Sequence, residues 1–345
     1  MPPVDVDWGR PCLIYGENFR VLAALLNSGM EGRVDLVYID PPFNTSRHFT
    51  AGPSRASTVS RSADGDVAYT DRMDFPGYLE FIRERVVLLR DLLSRRGSLY
   101  LHIDCKVGHY VKVILDEVFG PENFRNDISR IKSNPKNFGR KAYGNRKDIV
   151  LFYAKRRGSN IFNDVTACLG DGEMKRMFRR TDVRGRRYNT VPAHAPGETA
   201  AGRTGGGWRG MLPPEGRHWR TDPAELERLD GEGRIEWSRN GVPRIINYAD
   251  EHKGKKIQDI WDCQDPQYPR YPTEKSLELL DLIVRQSSDA GSVVLDCFAG
   301  SGTTLVSAGR LDRRWIGVDN SPVAIESIRK RLGAAGYAFH DLSRL

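Results

Sequence analysis

Apolar residues along the first third of the chain alternate between helical and strand rhythms. Phe19, Leu22 and Leu26 mark a short helical stripe. Val34–Ile39 (VDLVYI) is a compact apolar run that stops at Asp40-Pro41-Pro42. Proline has no N–H to give to a sheet ladder, so the strand must end there. Phe75, Leu79, Ile82, Val86, Leu89 and Leu93 are spaced 4, 3, 4, 3 and 4 residues apart, one apolar helical face, with Gly97 placed to end it. A strand over 98–103 (SLYLHI) follows. Val107, Tyr110, Val111, Ile114 and Val118 then form a second helical stripe, ending at Gly120-Pro121, and 148–153 (DIVLFY) reads as another strand. Between them, 47–70 is rich in Ser, Ala, Gly and Asp without periodicity and is expected to be a mobile loop.

The same alternation returns at the far end. It gives a helix over 277–284, a strand over 292–295, a helix from Thr303, a strand over 315–318, and a helix opening at Ser321-Pro322. Serine at the N-cap with proline next to it is a good helix start. The pattern predicts an α/β fold, a mostly parallel sheet with helices on both faces.

Between 156 and 256 the periodicity fades and Gly, Arg and Trp become frequent. Lys and Arg number 20 there against 14 Asp and Glu, which accounts for six of the chain's net eight positive charges. The expected organisation is therefore 1–155, an inserted module over 156–256, and 257–345. The basic balance points weakly toward a polyanion. Five cysteines without a CxxC pair disfavour a disulfide framework or a structural zinc site, and no histidine spacing suggests a metal. Residues 1–10 lack the apolar stretch of a signal peptide and no apolar run reaches membrane-spanning length, so a cytoplasmic protein with no membrane partner is expected.

Open parallel sheets bind ligands at the carboxyl ends of their strands, and two such ends carry unusual residues. The first is VVLDCFAGSGTT (293–304): a strand ending at Asp296, a small-residue turn with Gly300 and Gly302, then a helix. It is no phosphate loop, because no Lys follows. It is no dinucleotide fingerprint, because Leu305 stands where a third glycine is required. A nucleoside-type pocket remains. Asp319 ends the next strand, 17 residues beyond Gly302, where a carboxylate can accept from both ribose hydroxyls. Helix capping is its blander role, but Asn320 and Ser321 can supply that cap. The second end is DLVYIDPPFN (35–44). An aromatic amine is a poor nucleophile because its lone pair is delocalised into the ring. A carboxylate and a rigid backbone carbonyl that accept its two N–H bonds favour a pyramidal nitrogen. Phe43 offers a flat face for a base taken out of its stack.

DPPF at 40–43 together with FAGSG at 298–302 resembles the paired signatures of the amino-group DNA methyltransferases. The order, with the catalytic signature first, then a basic insert, then the cofactor signature, is similar to their β group. YPTEKS (271–276) resembles the family's segment before the cofactor strand, with Glu274 and Ser276 departing from the usual string, and 13–26 resembles the stretch before the catalytic strand.

The resemblance implies a class I S-adenosylmethionine-dependent methyltransferase fold, Rossmann-like, with a seven-stranded mostly parallel sheet. It implies catalysis by Asp40, Pro41, Pro42 and Phe43. It implies a cofactor site of Asp296, Phe298, Ala299, Gly300, Ser301, Gly302, Thr303, Thr304, Asp319 and Asn320, with Thr273, Lys275 and Ser276 close by. The insert falls where the family keeps its target-recognition region, so double-stranded DNA is the expected partner. A restriction or helicase protein and a homodimer are further expected partners for such enzymes. Arg176, Arg179, Arg180, Arg184, Arg186 and Arg187, and 134–147, supply candidate DNA contacts. Trp208 and Trp219 read either as base-stacking wedges or as module core. The leading Asp favours adenine N6 over cytosine N4. A protein or RNA amino methyltransferase, and a silent DNA-binding subunit, are weaker alternatives. No histidine, His102 included, is given a catalytic role.

Overall fold

The computed structural model describes residues 9–43, 47–51, 66–71, 74–133, 141, 143–167, 170–199, 202–267, 269, 271–272, 274–333 and 336–344, with 47–51 and 66–71 described by their backbone alone. The chain divides into two compact units, 1–165 with 258–345, and 166–257.

A nine-stranded sheet organises the first unit among the described residues. Its order is Ile260–Asp262, Phe124–Ile131, Lys147–Ala154, Leu93–Ile103, Val34–Ile39, Val293–Asp296, Arg314–Asp319, Cys12–Tyr15 and Ala338–Asp341. Every neighbouring pair is parallel except the two that involve Lys147–Ala154. The expected seven strands are the central ones, and the edge strands Ile260–Asp262 and Ala338–Asp341 extend the sheet at either side.

Strand Val34–Ile39 lies between Leu93–Ile103 and Val293–Asp296, with Val37 opposite Leu99 on one side and Leu295 on the other. Its apolar residues Val34, Leu36, Val37 and Ile39 are buried, as a strand covered on both faces requires. The helices that cover it are capped by the polar residues before them. Asp74 accepts from Gly77 N–H at the head of Phe75–Leu92, Asp104 from Lys106 at Cys105–Phe119, and Ser276 from Leu279 at Leu277–Ser287. Ser321 accepts from Ala324 at the head of Pro322–Leu332, so the cap is indeed serine and the proline sits in the first turn.

Two boundaries depart from the sequence pattern. The long helix ends at Leu92, and Leu93 already begins the next strand. Gly97 therefore does not end the helix. It sits inside the strand, where a Cβ would stand 2.9 Å from the Val34 carbonyl oxygen, so close approach of backbones is what calls for glycine there. The expected mobile loop at 47–70 has strands at both ends, Arg47–Ala51 paired antiparallel with Asp66–Asp71. Phe49, Thr50, Val67, Tyr69 and Thr70 are strand-favouring types that the surrounding Ser, Gly and Ala obscure.

After strand Lys147–Ala154 the chain stays on the first unit until Val165. Ile161 N–H donates to the Arg96 carbonyl, and Asn163 bonds the Gln286 and Ser288 backbone. The second unit has its own small core. A four-stranded sheet runs Ile235–Trp237, Pro243–Tyr248, Arg187–Pro192, Arg180–Thr181, beside the hairpin His194–Pro196 with Arg217–Trp219 and the helix Pro223–Gly231. Trp208 and Trp219 are buried with Ala193, Leu226, Leu229 and Ile235, and their indole N–H groups donate to Glu227 and the Gly206 carbonyl. They are module core rather than exposed wedges. Among the described residues no helix is long and apolar enough to cross a membrane.

Candidate active site

Two tight strand-to-helix turns and the segment that follows strand Val34–Ile39 bring polar side chains to the carboxyl ends of three neighbouring parallel strands in the first unit. The turn after Val293–Asp296 is built on Asp296, which is buried and accepts from Phe298 N–H at 3.0 Å and from the Thr304 hydroxyl at 2.6 Å. Burial pushes its carboxyl up to about 7; the charges of Asp40 and Asp319 add to the rise, and those two hydrogen bonds oppose it. Ala299 N–H donates to the Val318 carbonyl, tying the turn to the next strand. Gly302 has φ of 74°, and a Cβ there would stand 2.9 Å from Ile328 Cγ1, so both conformation and packing demand glycine. Gly300 N–H donates to Asp319 Oδ2 at 2.8 Å, and Ser321 N–H to Oδ1 at 2.9 Å. Burial also raises the Asp319 carboxyl. Asn320 is exposed beside it.

Ser301 and Thr303 hydroxyls are 2.9 Å apart and buried, and Arg331 reaches in to Thr303, the Ser301 carbonyl and Glu274. Phe298 packs 6.0 Å from Phe81, whose ring lies 3.6 Å beneath the Arg85 guanidinium. Arg85 donates to Asn18 and Glu17, and Asn18 in turn donates to the Cys297 carbonyl. Sequence reasoning passed over this brace, because its members sit on two helices far from the turn they support.

Asp40 follows the strand next door. Lys275 Nζ is ion-paired with its Oδ2, and Oδ1 is buried without a hydrogen-bond partner. Lys275, expected near the cofactor, is thus held against the Asp-Pro-Pro-Phe turn, with its ammonium 5.3 Å from the Phe43 ring centre. Ser276 caps the helix behind it and takes no part in that contact. Pro41 is buried, and Pro42 and Phe43 are half-buried. The Phe43 ring lies 5.9 Å from the His102 ring at 50°. Thr273 and the stretch 134–140 lie outside the described residues.

His102, passed over in the sequence, stands directly behind Asp40. It is fully buried at the end of strand Leu93–Ile103, with Nδ1 3.8 Å from Asp40 Oδ1. Nδ1 is also 3.0 Å from the Tyr38 hydroxyl, and Nε2 is 3.3 Å from Asp148 Oδ2. Lys132 and Arg130 continue the network, Arg130 pairing with Asp265, which accepts from Ser276 N–H. The clue was a histidine in the apolar last stretch of that strand, 99–103. Among the described residues no cluster of His, Cys, Asp and Glu fits a metal ion.

The sheet order, with one antiparallel strand among parallel neighbours, defines a class I S-adenosylmethionine-dependent methyltransferase fold. A solved structure, TTHA0409 of Thermus thermophilus complexed with S-adenosyl-L-methionine, shares it with a TM-score of 0.50 over 97% of this chain and 100% of that chain, at 18% identity. The chain belongs to the N6/N4 DNA methylase family, whose model matches residues 34–330. The type II methyltransferase M.EcaI of Enterobacter cloacae is 36% identical over 324 residues, which cover 92% of this chain and 68% of M.EcaI. The StyLTI Mod subunit of a Salmonella typhimurium type III restriction-modification enzyme is 24% identical over 321 residues, 84% of this chain and 48% of that protein.

Proposed function

We propose that this protein transfers a methyl group to the N6 amino group of adenine in double-stranded DNA, acting in the cytoplasm at a specific sequence read by the 166–257 unit. The observation that carries amino-group transfer is the unpartnered, buried Oδ1 of Asp40, one strand away from the Gly300 turn, and the leading Asp of the DPPF signature is what favours adenine. That Oδ1 is an acceptor awaiting a donor.

The residues present suit S-adenosylmethionine. The Asp319 oxygens accept from the backbone N–H groups of Gly300, Ser321 and Asn320, and a carboxylate with about four acceptor sites keeps room for a ribose hydroxyl. Asp296, buried with its carboxyl pushed up to about 7, is a site that a cationic ligand would relieve. When bound, S-adenosylmethionine supplies an electrophilic sulfonium methyl. Phe298, Ala299, Gly300, Ser301, Gly302, Thr303 and Thr304 shape the turn against it, with Asn320 at the rim. Thr273 is assigned to the same site on the family resemblance alone.

Asp40 Oδ1 accepts one N–H of the target amine, and a backbone carbonyl of the Pro41-Pro42 turn accepts the other. Together they turn the nitrogen lone pair toward the methyl, acting as preorganised acceptors. Phe43 stacks on the everted base. The motif order supports membership of the β group, and the Mod-subunit relative favours a restriction partner.

The second reading is cytosine N4, since the same acceptors serve either exocyclic amine and the family includes both. Expression in a host without DNA methylation, followed by sequencing of its genome for modified bases, tests the choice. N6-methyladenine at one recurring sequence is the expected result. N4-methylcytosine would transfer the assignment to the second reading, and an unmodified genome would sink both.

A further inference from the structure

The unpartnered oxygen of Asp40 needs a reason, because a buried carboxylate oxygen normally finds a donor. His102 Nδ1 lies 3.8 Å from it, beyond hydrogen-bond distance. Which nitrogen of His102 carries the proton is decided by the groups that face it.

Asp148, on the neighbouring antiparallel strand, meets Nε2. Burial pushes the Asp148 carboxyl up, but hydrogen bonding to His102 and the charge and hydrogen bond of Lys132 bring it below the usual carboxylate range, so it is an acceptor only. Tyr38 meets Nδ1. Burial first, then the charge of Asp40, hold its hydroxyl far above the usual phenol value, so it keeps a proton that it can donate to Nδ1. The remaining charged neighbours are Lys275 from the segment before Leu277–Ser287, and Arg130 and Lys132 from strand Phe124–Ile131 and its end. Burial lowers the His102 pKa from 6.5; hydrogen bonding to Asp148 and the charge of Asp40 oppose the fall, and Lys275 adds to it. Both contacts are satisfied by one neutral tautomer, with the proton on Nε2 and a lone pair on Nδ1.

In that tautomer Nδ1 cannot donate to Asp40. In the other tautomer, or in the imidazolium, the positive end of an Nδ1–H would stand 3.8 Å from Oδ1 and draw the carboxylate electrostatically away from a substrate N–H. We propose that His102 is a positioning residue: clamped between Asp148 and Tyr38 as its Nε2–H tautomer, it leaves Asp40 Oδ1 without a donor and so open to the amino group being methylated. The proposal rests on the role given to Asp40 under Proposed function.

The Lys275 ion pair completes the arrangement. It fixes the carboxylate by Oδ2 and leaves Oδ1 as the oxygen without a hydrogen bond. An acid limb in the rate follows from the same geometry. Protonation of His102 puts a donor on Nδ1, and burial sets that event below pH 6.5.

Nitrogen-15 NMR of histidine-labelled protein, with His102 assigned from a His102→Gln sample, tests the tautomer without reference to activity. The expected spectrum near neutral pH shows a neutral ring protonated at Nε2. An Nδ1–H tautomer or an imidazolium there would overturn the proposal. The kinetic arm uses Asp148→Asn, whose amide can donate to Nε2 and shift the proton to Nδ1. The expected result is a fall in kcat of about tenfold or more with the KM for S-adenosylmethionine within about twofold, the pattern of a lost transition-state contact. Tyr38→Phe keeps the Asp148 acceptor and is expected to lose about threefold or less. Unchanged kcat in Asp148→Asn despite a moved proton, or loss of cofactor binding in parallel with kcat, would also overturn it. Full activity in Asp40→Ala, with the tautomer as expected, would instead remove the reading of Asp40 itself.

Discussion

Lys275 and Asp40 form an ion pair whose side chains are only 9% and 16% exposed, and it joins the segment before helix Leu277–Ser287 to the turn after strand Val34–Ile39. Removing one member of such a pair leaves the other charge poorly solvated, a loss larger than the pair's own net contribution. Lys275→Met is expected to destabilise the protein by about 2–3 kcal/mol, slightly below the range for fully buried pairs. The measurement is urea unfolding, read as a lower midpoint at constant slope. Asp40→Asn added to Lys275→Met is expected to restore part of that loss, because it removes the stranded charge. A midpoint that does not move in the single variant would mean the pair is not held in solution.

Asp40→Ala separates chemistry from cofactor binding. The ion pair of Asp40 is with Lys275, outside the 298–304 turn, so affinity for S-adenosylmethionine by calorimetry is expected to stay within about threefold. Transfer of a tritiated methyl group is expected to fall by about 100-fold or more, the scale seen when one preorganised contact to the reacting group is lost. Turnover near the wild-type rate would remove Asp40 from the chemistry.

How much of this was legible beforehand depends on the range of the interaction. The strand ends at Asp40 and Asp296, the serine cap before Pro322 and the mostly parallel sheet follow from local pattern, and the sequence displays them directly. What escaped was set by pairing between distant segments. His102 becomes a neighbour of Asp40 because Ile39 lies opposite Leu101 in the parallel register. Lys275 reaches Asp40 across more than two hundred residues of chain. Gly97 looked like a helix stop, yet its reason is the Val34 carbonyl on another strand. The tryptophans of the second unit look alike as wedges or core until Leu226, Leu229 and Ile235 are seen packed around them.

Cofactor affinity should depend on pH through Asp296. Its carboxyl is raised from 3.8 to about 7, so below that pH the free protein holds a proton there. A cationic ligand favours the carboxylate and lowers its pKa, and binding therefore releases a proton. Affinity is expected to rise with pH up to about 7 and to level off above it. In the unliganded protein the sign is reversed. A folded value above the unfolded one stabilises at low pH, and that contribution fades as pH climbs through about 7. Calorimetry near pH 6 in buffers of different ionisation enthalpy measures the released proton directly; uptake, or no exchange, would contradict the assignment.

The arginines of the second unit are not equivalent, and the difference predicts which of them meet DNA. Arg180 pairs with Glu236, Arg186 with Asp250 and Glu251, Arg209 with Glu227 and Asp230, and Arg228 with Glu225 and Glu232. Their charge is matched within the module. Arg217, Arg220 and Arg244 converge where strand Arg187–Pro192 passes into the hairpin. There they bond His194, the Pro192 carbonyl and Thr190, with no ion pair among the described residues. Glu236 lies opposite Arg244 across the strands but is taken by Arg180. Three uncompensated guanidinium groups in one place suit phosphates, and each neutralised phosphate contributes about 0.9 to the slope of log affinity against log salt. Replacing all three by alanine is expected to weaken DNA binding and to flatten that slope by about 2–3. Arg186→Ala and Arg228→Ala are expected to leave it within about 0.5, since those charges already have partners. Fluorescence anisotropy with a labelled duplex over a salt series measures the slopes. Equal changes in the two groups would show that internal pairing does not decide which arginines reach the phosphates.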